Sequence, residues 1–186
     1  MKLYIKNMVC PRCDTAVKSV FEKLKISITT MQLGEVEIAT TLDADQLELL
    51  SENLNALGFE LLIDKNYITI ERIKNLIIDL VHYKNDPLKN NLSNYLSEDL
   101  RQDYSVLSKL FSEIEETTIE HFFIIQKIER AKELLLYNEM SLSEIAFQLN
   151  YSDVAHLSNQ FKKNTGFTPT QYLQLKDKMR KDIDNL

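Results

Sequence analysis

The sequence predicts an α+β chain: a small βαββαβ sandwich over residues 1–65, then an all-α half of seven helices over residues 66–186. Three observations carry this. Before residue 66 the apolar residues come in short alternating runs separated by two amphipathic stretches. After it they recur at helical spacing to the end, with very short turns between. The chain has 186 residues, 44% of them apolar, which suffices for one large core or two small ones.

Residues 3–5, after a charged start, read as the first strand. Residues 13–25 place Ala16, Val17, Val20, Phe21 and Leu24 at helical spacing. Residues 28–33 and 36–40 are strands split by Gly34-Glu35, a hairpin in which Glu35, Glu37 and threonines alternate with Val36 and Ile38. Residues 43–57 form a second helix with Leu47, Leu50, Leu54 and Leu57 on one face, Asp43 as N-cap and Gly58 just past the end. Residues 59–63 close the sheet, with two helices on one face.

The helical half begins with residues 68–83, where Ile73, Leu76, Ile77, Leu80 and Val81 share a face, and Pro87 marks the break behind them. Residues 92–100, 104–114, 119–137, 143–149, 154–164 and 170–178 follow as helices. One pattern occurs twice, 50 residues apart: Val106-Leu107-Ser108-Lys109-Leu110-Phe111 and His156-Leu157-Ser158-Asn159-Gln160-Phe161. In each copy the Leu and Phe stand four apart and pin the helix inward. Ser105, Ser108 and Lys109 then face outward in the first copy, and Val154, Ala155, Ser158 and Asn159 in the second. Asn159 has the chemistry to pair with adenine, and Val154 or Ala155 to touch a thymine methyl. Lys162, Lys163 and Thr165 can reach phosphates, and Lys109, Lys127 and Arg130 complete the expected basic set.

Charge opposes this picture. Residues 1–67 carry 7 basic and 10 acidic side chains and residues 68–186 carry 15 and 18, so each part is net −3 and the chain −6. An acidic half gains little from general phosphate attraction, and only a local basic face could supply it. No run of 18 apolar residues exists and no secretory leader opens the chain, so a cytoplasmic protein without a membrane span is expected. No nucleophile–base pair, phosphate loop or carboxylate dyad appears, so no enzyme is expected.

The segment Ile128-Glu129-Arg130-Ala131-Lys132-Glu133-Leu134-Leu135 resembles the linker helix of AraC/XylS-type transcription regulators. Ser143-Glu144-Ile145-Ala146, Tyr151-Ser152-Asp153 and residues 156–162 resemble that family's second helix-turn-helix. Gly166-Phe167-Thr168-Pro169-Thr170-Gln171-Tyr172-Leu173 resembles its closing G-x-x-P-x-x-Y. The resemblance spans about residues 70–175 and implies two helix-turn-helix motifs. Their recognition helices would lie roughly 34 Å apart, one turn of DNA.

Asn7-Met8-Val9-Cys10-Pro11-Arg12-Cys13 resembles the M-x-C-x-x-C loop of heavy-metal-associated domains, over residues 2–64. That resemblance implies a ferredoxin-like fold and a soft metal held by Cys10 and Cys13. A helix N-terminus lowers thiol pKa, and copper(I) accepts two ligands. Zinc would want four, whereas His82, His121 and His156 all lie in the other half. Met8 is expected in the core. Lys25-Ile26-Ser27-Ile28 stands where the family has Gly-Val. Folds of this kind also serve as sensors or dimerisation modules with the cysteines unused, and that reading stays open. Cys-Pro-x-Cys after a first strand also resembles glutaredoxin. That fold needs a later cis-Pro facing the dithiol, and Pro87 and Pro169 lie in the helical half.

The function expected is therefore a sequence-specific DNA-binding transcription regulator, responsive to copper(I) or another soft metal at Cys10 and Cys13. Its partners would be double-stranded DNA, RNA polymerase and a second copy of the chain. The alternatives are a metal carrier or buffer, or a protein–protein adaptor, with an accessory helical domain.

Overall fold

The computed structural model describes residues 1–84 and 91–179, with side chains through residue 175. Pro87, and with it the expected break, lies outside the described residues. The chain divides into two compact units, Met1–Asp79 with Ser93–Glu116, and Leu80–Leu92 with Thr117–Leu186.

In the first unit the order is β1 (Lys2–Lys6), α1 (Pro11–Lys23), β2 (Ile28–Gln32), β3 (Glu35–Ile38), α2 (Ala44–Asn55), β4 (Glu60–Leu62), α3 (Lys65–Ile78), α4 (Leu92–Leu100) and α5 (Tyr104–Glu115). The strands form one antiparallel sheet in the order β2-β3-β1-β4. Leu3 sits opposite Val36, and Ile5 opposite Leu61. Alternation sends Leu3, Ile5, Val36 and Ile38 to one face, where Val17, Val20 and Phe21 of α1 and Leu50 and Leu54 of α2 close a core. Met8 is fully buried in that core. Leu57, expected on the same face, is 51% exposed, because α2 ends at Asn55 and the chain has already turned out. Asp43 caps α2 with a reciprocal bond to Gln46, as its position suggests.

The other sheet face, carrying Tyr4 and Leu62, receives α3. That helix starts at Lys65, ahead of the expected residue 68, because the Asp64 carboxylate accepts the amides of Asn66 and Tyr67. Its approach to the β2–β3 turn is close: a Cβ on Gly34 would overlap the Asn75 amide, and Gly34 holds φ +74°. The expected helix to residue 83 continues past Ile78 as a π turn, Asp79–Tyr83. Helix α5 packs on α3.

The second unit holds α6 (Ile119–Tyr137), α7 (Leu142–Gln148), α8 (Val154–Thr165) and α9 (Pro169–Met179). Ile128, Ala131, Leu134 and Leu135 form the buried stripe of α6. Among the described residues no helix is long and apolar enough to cross a membrane.

Candidate nucleic-acid interface and thiol loop

Helices α5 and α8 repeat one pattern of burial at an offset of 50 residues. Leu107 and Phe111 are fully buried, and so are Leu157 at 1% exposure and Phe161 at 0%. Between them Ser105 and Ala155 are exposed, as are Val106 and His156, and Lys109 and Asn159. Ser108 and Ser158 are half-buried, and Val154 matches Tyr104 in the same class. The eight positions from Tyr104 to Phe111 thus follow the same order as Val154 to Phe161. Two helices with one inward pair and one outward stripe are built to the same plan.

Local chemistry fixes each helix behind a tight turn. Ser141 and Glu144 form a capping box on α7. Ala146, only 2% exposed, lets α7 and α8 approach, and its carbonyl accepts the Tyr151 amide at 2.9 Å. Asn150 turns the chain in the left-handed region at φ 54°. The Asp153 carboxylate then accepts the His156 amide at 2.7 Å and starts α8. At the other end Gly166 adopts φ +83° and its amide returns to the Lys162 carbonyl at 2.8 Å. Beyond it Pro169 is buried, and Tyr172 meets Phe161 edge-on with ring centroids 5.5 Å apart.

The thiol loop lies in the first unit. Cys10 is the N-cap of α1, with Pro11 in the first helical position. The Sγ atoms of Cys10 and Cys13 are 3.3 Å apart, and both thiols are free and half-buried. The Cys13 backbone N–H, then the Cys13 thiol, hold the Cys10 thiol below its ordinary pKa, and Arg12 adds to this. Among the described residues no cluster of three or more His, Cys, Asp or Glu could hold a metal ion. The loop thus offers two soft donors, and zinc would want four ligands.

The family model described as "Helix-turn-helix domain" matches residues 96–175. Those residues run from α4 into α9 and take in both patterned helices. Residues 96–175 are thus similar to helix-turn-helix domains. Over 92 residues, half of this chain, the sequence is 34% identical to an uncharacterized HTH-type transcriptional regulator of Staphylococcus aureus (strain MSSA476), and it spans 12% of that protein's length. The C-terminal domain of AraT, a response regulator from Geobacillus stearothermophilus, is similar with a TM-score of 0.50 and 25% identity, covering 60% of this chain and 88% of that one. The DNA-binding domain of AdpA, solved in complex with a target DNA, shares the fold with a TM-score of 0.51 at 16% identity, over 60% of this chain and 96% of its own.

The residues of the expected basic set differ in their surroundings. Lys127 is buried at 7% exposure, its ammonium 3.8 Å from the Tyr151 ring centroid and 5.2 Å from that of Phe123, and it donates to the Asn150 carbonyl at 3.5 Å. Desolvation lowers its pKa to about 8. Arg130 is paired with Glu133 at 2.5 Å and only 18% of its side chain is exposed. Lys109 stays 78% exposed, with a loose 3.9 Å contact to Glu113. Lys162 and Lys163 are exposed and make no ion pair among the described residues. Two outward residues escaped the sequence reading, Val106 at 55% exposure and its counterpart His156. The 50-residue offset pairs them and was the signal for both.

Proposed function

We propose that this chain is a sequence-specific DNA-binding transcription regulator of the AraC type, with α5 and α8 as its two reading helices. The observation that carries the proposal is the repeated burial order on these helices, within the stretch that matches the helix-turn-helix model. On this reading Ser105, Ser108 and Lys109 of α5 face one major groove, and Val154, Ala155, Ser158 and Asn159 of α8 face another. Lys162 and Lys163 contact phosphates. The domain is a binding module, not an enzyme. RNA polymerase and a second copy of the chain are further partners this reading allows, in the cytoplasm.

The N-terminal sandwich is read as ferredoxin-like and of the heavy-metal-associated kind. Its support is the βαββαβ order with strands in the order β2-β3-β1-β4 and the cysteine pair at the start of α1. Cys10 and Cys13 would hold copper(I) or another soft monovalent ion as two thiolates. The net charge of −6 favours a second reading, a protein–protein adaptor without DNA affinity. Selection of bound DNA from a random pool, with and without copper(I), separates these. Enrichment of one sequence motif supports the regulator and its metal dependence the sensor, whereas an unenriched pool supports the adaptor.

A further inference from the structure

Glu71 is a carboxylate of α3 that is only 7% exposed. One of its oxygens accepts the backbone N–H of Asn7 at 3.1 Å. Asn7 in turn shapes the thiol loop. It holds a left-handed φ of 71°, its Nδ2 donates to the Gly58 carbonyl at 3.0 Å, and its own carbonyl lies 3.9 Å from the Cys13 Sγ. One helical turn along α3 from Glu71, Lys74 is paired with Glu115 at 2.6 Å, with side chains 18% and 27% exposed. Glu115 is the last residue of α5, where a carboxylate opposes the helix dipole and Lys74 offsets it. Burial pushes the Glu71 carboxyl up, and the Asn7 N–H, then Lys74, then Lys6, hold it down; Glu115 is close enough to push it up again. Lys6 has its own partner, Glu60, at 3.5 Å. All of these residues belong to one compact unit.

We propose that Glu71 is a positioning residue for the Cys10/Cys13 loop and passes the loop's state to α5 by competing with Glu115 for Lys74. The proposal rests on the reading of that loop as a soft-metal site. An ion seated in line between the two sulfurs spreads them from their 3.3 Å contact and moves Asn7, whose carbonyl lies against Cys13, so that the Asn7 N–H leaves Glu71. A buried carboxylate without a donor is costly, and the cation with the greatest hold on it sits three residues along the same helix. Lys74 then turns from Glu115 to Glu71, and the last turn of α5 loses its counter-charge. Loop and reading helix are thereby two ends of one exchange of partners.

The test is hydrogen exchange of residues 110–116 in the full chain, with and without one equivalent of copper(I), in wild type, Glu71→Gln and Glu71→Ala, beside copper(I) affinity measured against a chromogenic chelator. Gln keeps an acceptor for Asn7 but cannot recruit an ammonium. Copper(I) should speed exchange at the end of α5 by about tenfold in wild type and leave it unchanged in Glu71→Gln. Affinity should rise by about tenfold in Glu71→Ala, where the ion has no bond to the buried carboxylate left to break, and hold within about twofold in Glu71→Gln. The same α5 response in wild type and Glu71→Gln, or an unaltered affinity in Glu71→Ala, overturns the proposal. If copper(I) does not bind wild type at all, the metal reading fails on its own. The relay is then read with Cys10 and Cys13 bridged by mercury(II), a linear two-coordinate ion that spreads the same two sulfurs. A silent α5 in that adduct overturns the relay, and a response lost in Glu71→Gln sustains it.

Discussion

Replacing Lys162 and Lys163 by Gln removes two of the three exposed cations left in the expected phosphate-contacting set, Lys109 being the third. Lys127 is buried against Tyr151 and Arg130 is paired with Glu133, so neither is counted among them. With three phosphates neutralised, each worth a slope of about −0.9, log K should fall against log salt with a slope near −2.7. Raising salt from 50 to 200 mM then weakens binding about 40-fold. In the double variant the slope should shrink to about −0.9 and the same change in salt should cost only about fourfold. All sequences should weaken alike, because phosphate contacts carry no base information. Fluorescence anisotropy of a labelled selected site, titrated at five salt concentrations, reads both slopes. A wild-type slope steeper than about −4 would mean that cations outside this set, or a rearranged Arg130, reach the DNA. An unchanged slope in the double variant would show that α8 does not present its last turn to phosphate.

Asn159→Ala should cost about 1–3 kcal/mol at one base position and little elsewhere, read by repeating the selection with the variant; uniform weakening would place Asn159 off the base edges. Cys10→Ser or Cys13→Ser should each abolish tight copper(I) binding, since one thiolate cannot supply a linear pair, while thermal stability stays within about 0.5 kcal/mol. Retained affinity in the double variant would remove the metal reading. Lys127 gives a pH signature. Its folded pKa of about 8 lies below the ordinary 10.5, so the unfolded chain holds the proton more tightly. Stability should rise as pH climbs from about 8 towards 10, by at most about 3 kcal/mol, and by less if attraction to the Tyr151 and Phe123 rings favours the charged form. The phenol of Tyr151, raised to about 12 by burial, works the other way only above pH 10. Lys127→Met should abolish this rise, and equal thermal midpoints across pH 8–10 in wild type would refute it.

What the sequence made legible were features set by local spacing. Leu107 with Phe111 and Leu157 with Phe161 are four apart, so their inward orientation follows from helix geometry alone. Asp43 stands directly before an apolar periodic run with Gln46 three residues on, and it caps α2. Lys127 misled because a lysine ordinarily marks a solvated face. Yet it stands four before Ala131 and next to Ile128, inside the stripe of α6 that is buried, and that spacing was visible. The bond between Asn7 and Glu71 joins residues 64 apart and has no local signature. Nor has the π turn of Asp79–Tyr83, whose residues read as an ordinary continuation of α3. The change of texture near residue 66 marks where strands stop, whereas packing groups α3, α4 and α5 with the sandwich.

Charge divides the two proposed reading helices more sharply than their common burial pattern suggests. Residues 104–116 carry Lys109 against Glu113, Glu115 and Glu116, for a net −2, while residues 154–166 carry Lys162 and Lys163 with no acid, for a net +2. On the proposed reading the last turn of α8 is a local basic face of the kind that the chain's overall acidity calls for, and the last turn of α5 would repel a phosphate placed against it. On the proposed reading α8 supplies affinity and α5 adds contacts that become favourable only once α8 is seated. The pairing of Lys74 with Glu115 matters in this light. It neutralises one of the three acids at the end of α5, so whatever frees Glu115 makes the weaker of the two helices weaker still, without touching the stronger.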